Sequence, residues 1–284
     1  MRQWVRVSVP MKIPAWWLGE FLGTFLLVFF GCGSVAAAVL TGAQVGIFQV
    51  AIVWGLGIAT AIYLTASLSG AHLNPAVTCA LATAGRFPRE KIGGYVAAQF
   101  LGAFAAAAVL HLVFAGPLGA FEQAQGIVRG ASGSEASAMI FGEFFPNPGG
   151  RPLSAAARLL VSPLTAFGIE AGGTAILLLV ILSVTDESNA SRPRELTAAT
   201  IGLTITLLIS LLAPLTQAGF NPARDLAPRI WSAMAGWGMW PFRANGWGWL
   251  TVYVLAPFIG GQAGALFYRG FLRPAYAAST RSGQ

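Results

Sequence analysis

Charged side chains are scarce in this sequence. Only 10% of its 284 residues are Asp, Glu, Lys or Arg, whereas a soluble globular domain carries about 25%. The low hydrophobicity and high net charge that keep a chain disordered are missing as well. Apolar residues take their place, because 56% of the chain is hydrophobic and its mean hydropathy is +0.68. The composition excludes a soluble globular protein and predicts a chain that crosses a membrane several times.

Reactive and cross-linking side chains are equally few. Cys32 and Cys79 are the only cysteines, and both lie in apolar runs, which excludes a disulfide scaffold. The sequence contains no Ser/His/Asp or Cys/His pattern with catalytic spacing, no cluster of metal ligands and no phosphate-binding loop. We therefore expect no enzymatic activity, no cofactor and no metal site.

Basic residues outnumber acidic ones, but they form no run that would bind nucleic acid. The net charge is +7, and the basic residues lie between apolar stretches, where the positive-inside rule puts them. The eleven expected on the cytoplasmic side are Arg2, Arg6, Lys12, Arg86, Arg89, Lys91, Arg192, Arg194, Arg269, Arg273 and Arg281. The six expected on the other side are Arg129, Arg151, Arg158, Arg224, Arg229 and Arg243. This asymmetry predicts a multi-pass protein of the cell membrane with both termini in the cytoplasm.

Six apolar stretches are long enough to cross a bilayer, which takes about 20 residues. They lie at about 14–40, 46–68, 92–115, 163–184, 196–214 and 248–269. The sequence thus predicts a single all-α membrane domain over 1–284. It consists of two three-span halves at about 14–115 and 163–272, joined by a long connecting loop at about 116–162.

Two further apolar stretches, 70–84 and 217–232, are too short to cross, and each contains Asn-Pro-Ala. The motif residues are Asn74, Pro75, Ala76, Asn221, Pro222 and Ala223. The halves also share a Glu-x-x-Gly-Thr motif, which begins at Glu20 in the first half and at Glu170 in the second. Because each half has three spans, the second half enters the membrane from the opposite side. The repeat is therefore inverted, and the two short stretches meet at the membrane midplane.

Asn-Pro-Ala is suited to start a helix inside the membrane. Proline fits the first helical position, and the asparagine before it caps the helix with its side-chain oxygen. Both N–H groups of each asparagine amide are then expected to face a lumen. Irregular backbone at this depth is tolerated where it lines a watery cavity. The carbonyls expected to line this pore belong to Gly70, Ala71, His72, Leu73, Ala218, Gly219 and Phe220.

The two motifs lie 147 positions apart, with Ala-His-Leu before Asn74 and Arg224 directly after the second motif. In these features the chain resembles the major intrinsic protein family, the aquaporins and aquaglyceroporins, over about residues 14–272. The resemblance implies six tilted helices plus two half-helices, and a homotetramer in the lipid bilayer with one pore per subunit. It also implies passive flow of water, glycerol and similar small neutral solutes, with ions and protons excluded.

Three further residues resemble the glycerol-conducting branch of this family. Trp54 stands twenty residues before Asn74, where that branch has one wall of its outer constriction. Asp225 follows Arg224, and Arg229 comes four positions after Asp225. This order is similar to the Asp-x-x-x-Lys/Arg mark of aquaglyceroporins, whereas water-selective members usually have a small residue in place of the aspartate.

The family's spacing implies a selectivity filter that differs from the usual one. The implied filter residues are Trp54, Ile209, Ala218 and Arg224, with Phe220 beside them. Glycerol facilitators typically carry glycine and phenylalanine where Ile209 and Ala218 stand. The set is closer to plant nodulin-like intrinsic proteins, which pass both water and glycerol. Water-specific channels usually place histidine at the Ile209 position.

Several of these residues also have a structural interpretation. Glu20 and Glu170 could relay protons, but their matching positions favour acceptance of N–H groups from the re-entrant stretches. Asp225 is interpreted as structural support, and Arg224 could pair with it. The contribution of His72 could come from its backbone carbonyl or from its ring.

Two alternatives to a glycerol channel stay open at this point. One is a mainly water-selective channel. The other is an ion- or proton-coupled secondary transporter, because such proteins also use inverted repeats and broken helices. A coupled transporter needs an unpaired ionisable group at the substrate site, for which Glu20 and Glu170 are the candidates. The sequence also leaves open whether Cys79 faces the pore or packs inside the bundle as a small hydrophobe.

Overall fold

The computed structural model describes residues 13–43 and 46–282, and this part of the chain is helical without any strand. Six helices are long and apolar enough to cross a membrane. These spans, numbered in chain order, are Ala15–Thr41, Ile47–Ser69, Arg89–Val113, Pro163–Val184, Arg194–Thr216 and Gly248–Ser279. The predicted all-α fold with six spans is confirmed. The largest difference is in the sixth span, which runs to Ser279 rather than ending near 269.

Two short helices follow the second and fifth spans. The first half-helix is Pro75–Thr83 and the second is Pro222–Ser232. Each begins with the proline of an Asn-Pro-Ala motif, at a position where a backbone N–H would have no helical partner. The chain before each helix is irregular and enters the left-handed region several times. The non-glycine residues with positive φ there are Ala71, Leu73, Gln217, Ala218 and Phe220.

The helices of the two halves pack in the same pattern. The first span packs along the third, the fourth packs along the sixth, and the second meets the fifth across the centre. Each half-helix lies against a span of the other half: the first against the sixth span, and the second against the third. This reciprocal packing is that of an inverted repeat, and it brings the starts of the two half-helices together.

The spans cross in backbone contact at glycines. A Cβ on Gly55 would fall 2.5 Å from the carbonyl oxygen of Gly202, and one on Gly202 would fall 2.3 Å from that of Gly55. The third span meets the first in the same way at Gly102, and the sixth meets the fourth at Gly260. Small residues let membrane helices approach this closely, so side chains at these positions would push the bundle apart.

The connection expected to be a loop at 116–162 is a packed segment, which we call the capping segment. It begins with the helix Ala115–Gln125, and helical turns follow at Glu135–Ala138 and Ala155–Arg158. Ion pairs to buried carboxylates hold it together, among them Arg158 with Glu135 at 2.7 Å. The indole N–H of Trp240 donates to the same glutamate at 2.7 Å. The segment therefore folds back onto the ends of the spans.

Part of the charge asymmetry falls beyond the described structure. Arg2, Arg6 and Lys12 lie outside the described residues, and the side chain of Arg281 is not described. The membrane orientation therefore stays a prediction from the sequence.

Candidate pore and its constriction

Two cavities enter the bundle and meet at one set of residues. The carbonyl cavity is lined by the irregular stretches before the half-helices, and the cap cavity is lined by the capping segment and the start of the second span. Trp54, Ile209 and Arg224 line both cavities. The junction thus lies at three of the four predicted filter positions. The fourth, Ala218, lines the carbonyl cavity only.

The guanidinium of Arg224 is held at this junction from three sides. Its central carbon lies 4.5 Å from the centre of the Trp54 ring, a cation–π distance. One amino group forms an ion pair with Glu143 Oε1 at 3.0 Å, and another donates to the carbonyl of Phe141 at 3.4 Å. Ile209 supplies an apolar side chain at the same junction. The constriction therefore combines apolar surface with fixed hydrogen-bond donors.

The alternative pairing of Arg224 with Asp225 is wrong, because Asp225 pairs with a different arginine. Both carboxylate oxygens of Asp225 accept from Arg229, at 2.9 and 2.7 Å. Asp225 also accepts from the backbone N–H of Glu143 at 2.7 Å. Asp225 thereby fixes the capping segment to the second half-helix, next to Arg224.

Sequence reasoning missed Glu143. Its side chain is fully buried, and one carboxylate oxygen would lie only 1.8 Å from a Cβ placed on Gly219. No local pattern distinguishes it from Glu122 and Glu135, the other acidic residues of the connection. Its partner Arg224 is 81 positions away in the sequence, so only the folded capping segment reveals the contact.

The asparagines of the two motifs cap their own half-helices. Asn74 Oδ1 accepts from the backbone N–H groups of Ala76 and Val77, at 2.8 and 3.4 Å. Asn221 Oδ1 accepts from those of Ala223 and Arg224, at 3.0 and 3.3 Å. Satisfying the first free N–H groups in this way lets a helix start inside the membrane.

The expectation that both N–H groups of each amide face the lumen is wrong. Asn74 donates one to the carbonyl of Phe220 at 2.8 Å, and Asn221 donates one to the carbonyl of Leu73 at 2.9 Å. The cause is the direct contact between the two half-helix starts. Each amide therefore keeps one donor for the cavity, where both asparagines lie among the lining residues.

Glu20 and Glu170 hold the irregular stretches in equivalent ways. The two oxygens of Glu20 accept from the backbone N–H groups of His72 and Leu73, at 2.9 and 2.8 Å. Those of Glu170 accept from Gly219 and Phe220, at 3.1 and 2.8 Å. In each half these are the two residues directly before the motif asparagine. The two glutamates therefore fix the backbone of the stretches that line the carbonyl cavity.

The carbonyl cavity has two unlike walls. All seven residues predicted to supply carbonyls line it, from Gly70 to Leu73 and from Ala218 to Phe220. The remaining wall is mostly apolar and includes Ile58, Ile62, Ile201 and Ile205. The cavity therefore offers acceptors along one wall and hydrocarbon along much of the rest.

The side chain of Phe220, which was predicted to lie beside the filter residues, packs behind the cavity wall. Its ring packs against Gly173 of the fourth span, where a Cβ would fall 2.2 Å from the ring. It lines the carbonyl cavity and not the cap cavity. The backbone carbonyl of Phe220 accepts from Asn74, and its side chain fills the space behind the pore wall.

The ring of His72 also lies at the carbonyl cavity. Its Nδ1 is 3.3 Å from the hydroxyl of Thr78, and that hydroxyl gives its only proton to the carbonyl of Asn74 at 3.0 Å. Both the ring and the backbone of His72 are thus placed to contact a solute.

Cys79 lies away from the pore. Val77 and Leu81, on the same half-helix, line the carbonyl cavity, whereas Cys79 does not. Residues two positions apart on a helix point about 200° away from each other. The face that contains residues 77 and 81 therefore excludes residue 79. Cys32 is buried in the first span.

Metal ligands are not clustered here. Among residues 13–43 and 46–282, no three His, Cys, Asp or Glu side chains come together to hold a metal ion.

Comparisons with known proteins agree with this architecture. The family model of the major intrinsic protein matches residues 11–268. The chain is 42% identical to the glycerol uptake facilitator protein of Pseudomonas aeruginosa over 255 residues, which cover 89% of this chain and 86% of that protein. It is 40% identical to the protein of the same name from Escherichia coli K12 over 253 residues, with the same coverage of both.

Two further similarities extend this result. The propanediol uptake facilitator of Salmonella typhimurium is 38% identical over 254 residues, which cover 89% of this chain and 92% of that protein. The X-ray structure of the aquaglyceroporin from Plasmodium falciparum superimposes with a TM-score of 0.78 at 30% identity, covering 93% of this chain and 98% of that one. With two half-helices meeting at paired Asn-Pro-Ala motifs and a family match over nearly its whole length, this chain belongs to the major intrinsic protein family.

Proposed function

We propose that this protein is a passive channel for water and small uncharged solutes, with glycerol as its main organic solute. The observation that carries the proposal is the constriction, where Trp54 and Ile209 offer apolar surface and Arg224 offers donors. A polyol places its hydroxyl groups and its carbon backbone on different sides, so it fits such a site. The names of the relatives, glycerol and propanediol uptake facilitators, support the same solute class.

Beyond the constriction, the carbonyl cavity extends the same pattern. A hydroxyl that leaves Arg224 meets the carbonyls of the irregular stretches, while the carbon backbone stays against Ile201 and Ile205. Each hydrogen bond lost on leaving water is thereby replaced, which keeps the dehydration cost of a neutral solute low. An ion has no comparable replacement for its hydration shell, and the half-helix starts add a positive field against cations and protons.

The residues at Ile209 and Ala218 make this filter unlike that of typical facilitators. Isoleucine adds volume at one position, and alanine leaves volume at the other. We therefore expect looser selection between glycerol and urea than in typical glycerol facilitators.

Stopped-flow measurements on proteoliposomes test the proposal. Vesicles containing the protein are exposed to inward gradients of glycerol or urea and, separately, to an impermeant osmolyte that reports water flow. We expect fast, gradient-driven glycerol entry above that of protein-free vesicles. Water flow without glycerol entry would instead favour a water-selective channel.

An ion-coupled transporter is the less favoured alternative. The ionisable groups that could couple transport, Glu20 and Glu170, each accept two backbone hydrogen bonds. They also lie behind the cavity wall and do not line either cavity. Glycerol flux that responds to a sodium or pH gradient across the vesicle would support this alternative.

The proposal includes the surroundings of the channel. We place it in the cell membrane with both termini in the cytoplasm, on the basis of the eleven to six distribution of basic residues. A homotetramer with one pore per subunit follows from the family resemblance. Chemical cross-linking in native membranes tests the assembly, and labelling of cysteines introduced at the termini tests the orientation.

A further inference from the structure

We propose that Glu143 is a positioning residue of the constriction, which neutralises Arg224 and fixes its guanidinium beside Trp54. On this view the constriction offers hydrogen-bond donors to neutral solutes without binding anions. The inference rests on the proposed channel function and adds to it a residue of the capping segment.

The contact between Glu143 and Arg224 is short and buried. Arg224 Nη2 lies 3.0 Å from Glu143 Oε1, with 3% and 0% of the two side chains exposed. Among the described residues, no donor forms a hydrogen bond to either oxygen of Glu143, and Arg224 Nε has no acceptor. The ion pair is therefore the close interaction that compensates both charges.

The neighbouring carboxylate, Asp225, cannot take the place of Glu143 as the partner of Arg224, because it pairs with Arg229. Arg229 uses its side chain on Asp225, and also donates to the carbonyls of Pro241 and Glu143. The buried charges thus form two separate pairs, Arg229 with Asp225 and Arg224 with Glu143. If the second carboxylate were removed, Arg224 would keep a full charge without a close partner.

The backbone holds Glu143 in the position that this role requires. Its N–H donates to Asp225 at 2.7 Å, and the next N–H, of Phe144, donates to Gln217 Oε1 at 2.8 Å. Its carboxylate occupies space that only a glycine at position 219 leaves open. The carboxylate is thus fixed by both half-helix and capping segment before any solute arrives.

An unpaired guanidinium at this place would attract anions. The amide N–H ends of two half-helices point to the same region, and helix N-termini favour negative charge. Nitrate is small and planar, and it can accept two parallel hydrogen bonds from a guanidinium, as a carboxylate does. We therefore expect nitrate to occupy the constriction when Glu143 is neutral, and to slow the passage of neutral solutes.

The experiment measures glycerol and water flux in proteoliposomes while sodium nitrate replaces sodium gluconate at constant osmolarity. At a pH where Glu143 is charged, wild-type flux should respond only weakly to nitrate. Flux through Glu143→Gln should fall as nitrate rises, with a half-inhibiting concentration about tenfold below that of the wild type, which corresponds to about 1.4 kcal/mol. Glu143→Asp keeps the charge but shortens its reach, so its sensitivity should lie between the two.

The capping segment offers a matched control in Glu135→Gln. Glu135 is also buried and pairs with an arginine, Arg158, at 2.7 Å. Arg158 lines neither cavity, whereas Arg224, the partner of Glu143, lines both. A general loss of packing would make both glutamine variants slow and would not create nitrate sensitivity in either. Adding Arg224→Val to Glu143→Gln should abolish the sensitivity.

Nitrate-resistant flux in Glu143→Gln would overturn the proposal. If Glu143→Gln does not fold, the test is made with Glu143→Asp. Nitrate sensitivity of Glu143→Asp equal to that of the wild type would then also overturn the proposal. Because water flux is recorded alongside, a wild-type protein that conducts no glycerol would contradict the proposed function without removing the anion readout.

Discussion

The guanidinium of Arg224 lies 4.5 Å from the ring centre of Trp54, across the junction of the two cavities. A desolvated contact of this kind contributes about 2 kcal/mol. The indole therefore limits the motion of the arginine as well as providing an apolar surface. The position of the Arg224 donors thus depends on the same indole that provides the apolar surface.

Replacement of Arg224 by valine should keep neutral flux and admit ions. Valine removes the positive charge and leaves Glu143 buried without a partner, and a lone buried carboxylate attracts cations. We expect a measurable proton or sodium leak, recorded with a pH-sensitive dye trapped in the vesicles. The double variant Arg224→Val/Glu143→Gln should leak less than Arg224→Val alone. If the single variant stays as ion-tight as wild type, the half-helix dipoles suffice and Arg224 acts by size.

The fold was largely predictable because its signals are local. Apolar runs of about 20 residues define spans, and Asn-Pro-Ala carries its own cap and first helical turn. The matching placement of Glu20 and Glu170 also pointed to their backbone contacts. The spans and the helix starts of each half can therefore be predicted from the sequence of that half alone.

The contacts missed by sequence reasoning all join distant segments. Asn74 contacts Phe220, and Glu143 contacts Arg224, only once the chain has folded. The capping segment was predicted only as the long loop that joins the two halves. Its order comes from contacts such as those of Glu135 with Arg158 and Trp240, which no local pattern indicates.

Glu20→Gln and Glu170→Gln should each loosen one re-entrant stretch. A carboxylate accepts both backbone N–H groups, whereas an amide presents an NH₂ to one of them and leaves a buried donor unsatisfied. We expect a loss of about 1–3 kcal/mol in stability for each variant, seen as a lower unfolding temperature in detergent, together with reduced glycerol flux. The exposed Glu90 provides the control, because Glu90→Gln should change neither. Wild-type flux that responds to a pH gradient, with that response lost in either variant, would instead indicate a coupling role.

Acidic conditions should reproduce the effect of Glu143→Gln in the wild-type protein. Burial raises the pKa of Glu143 well above the ordinary range of a glutamate, against the lowering effect of the Arg224 charge. Glutamate loses its charge as pH falls through this raised pKa, so nitrate inhibition should increase toward low pH and vanish toward high pH. The measurement is wild-type glycerol flux in nitrate across a pH series with equal pH on both sides. The same series on Glu143→Gln should be flat, and a wild-type response of the opposite sign would contradict the assignment.

Mercurial reagents should not block the wild-type pore. Cys79 points away from the carbonyl cavity, and Cys32 is buried in the first span. A cysteine introduced at Val77, which does line the cavity, should make the channel sensitive to a mercurial that crosses the membrane. Inhibition of the wild type that disappears in Cys79→Ser would show that the half-helix is rotated from the orientation described.

Ile209→His should reduce glycerol flux far more than water flux. Histidine adds a polar group and narrows a constriction whose other members are Trp54 and Arg224. Glycerol then loses apolar surface for its carbon backbone, and it needs more room than a single water molecule. We expect about a tenfold fall in glycerol permeability, equal to about 1.4 kcal/mol in the barrier, with a much smaller change for water. Ile209→Val, which trims the side chain but keeps it apolar, should retain glycerol flux. Equal losses for both solutes would mean that the histidine obstructs the pore without altering its selectivity, and unchanged glycerol flux would remove Ile209 from the filter.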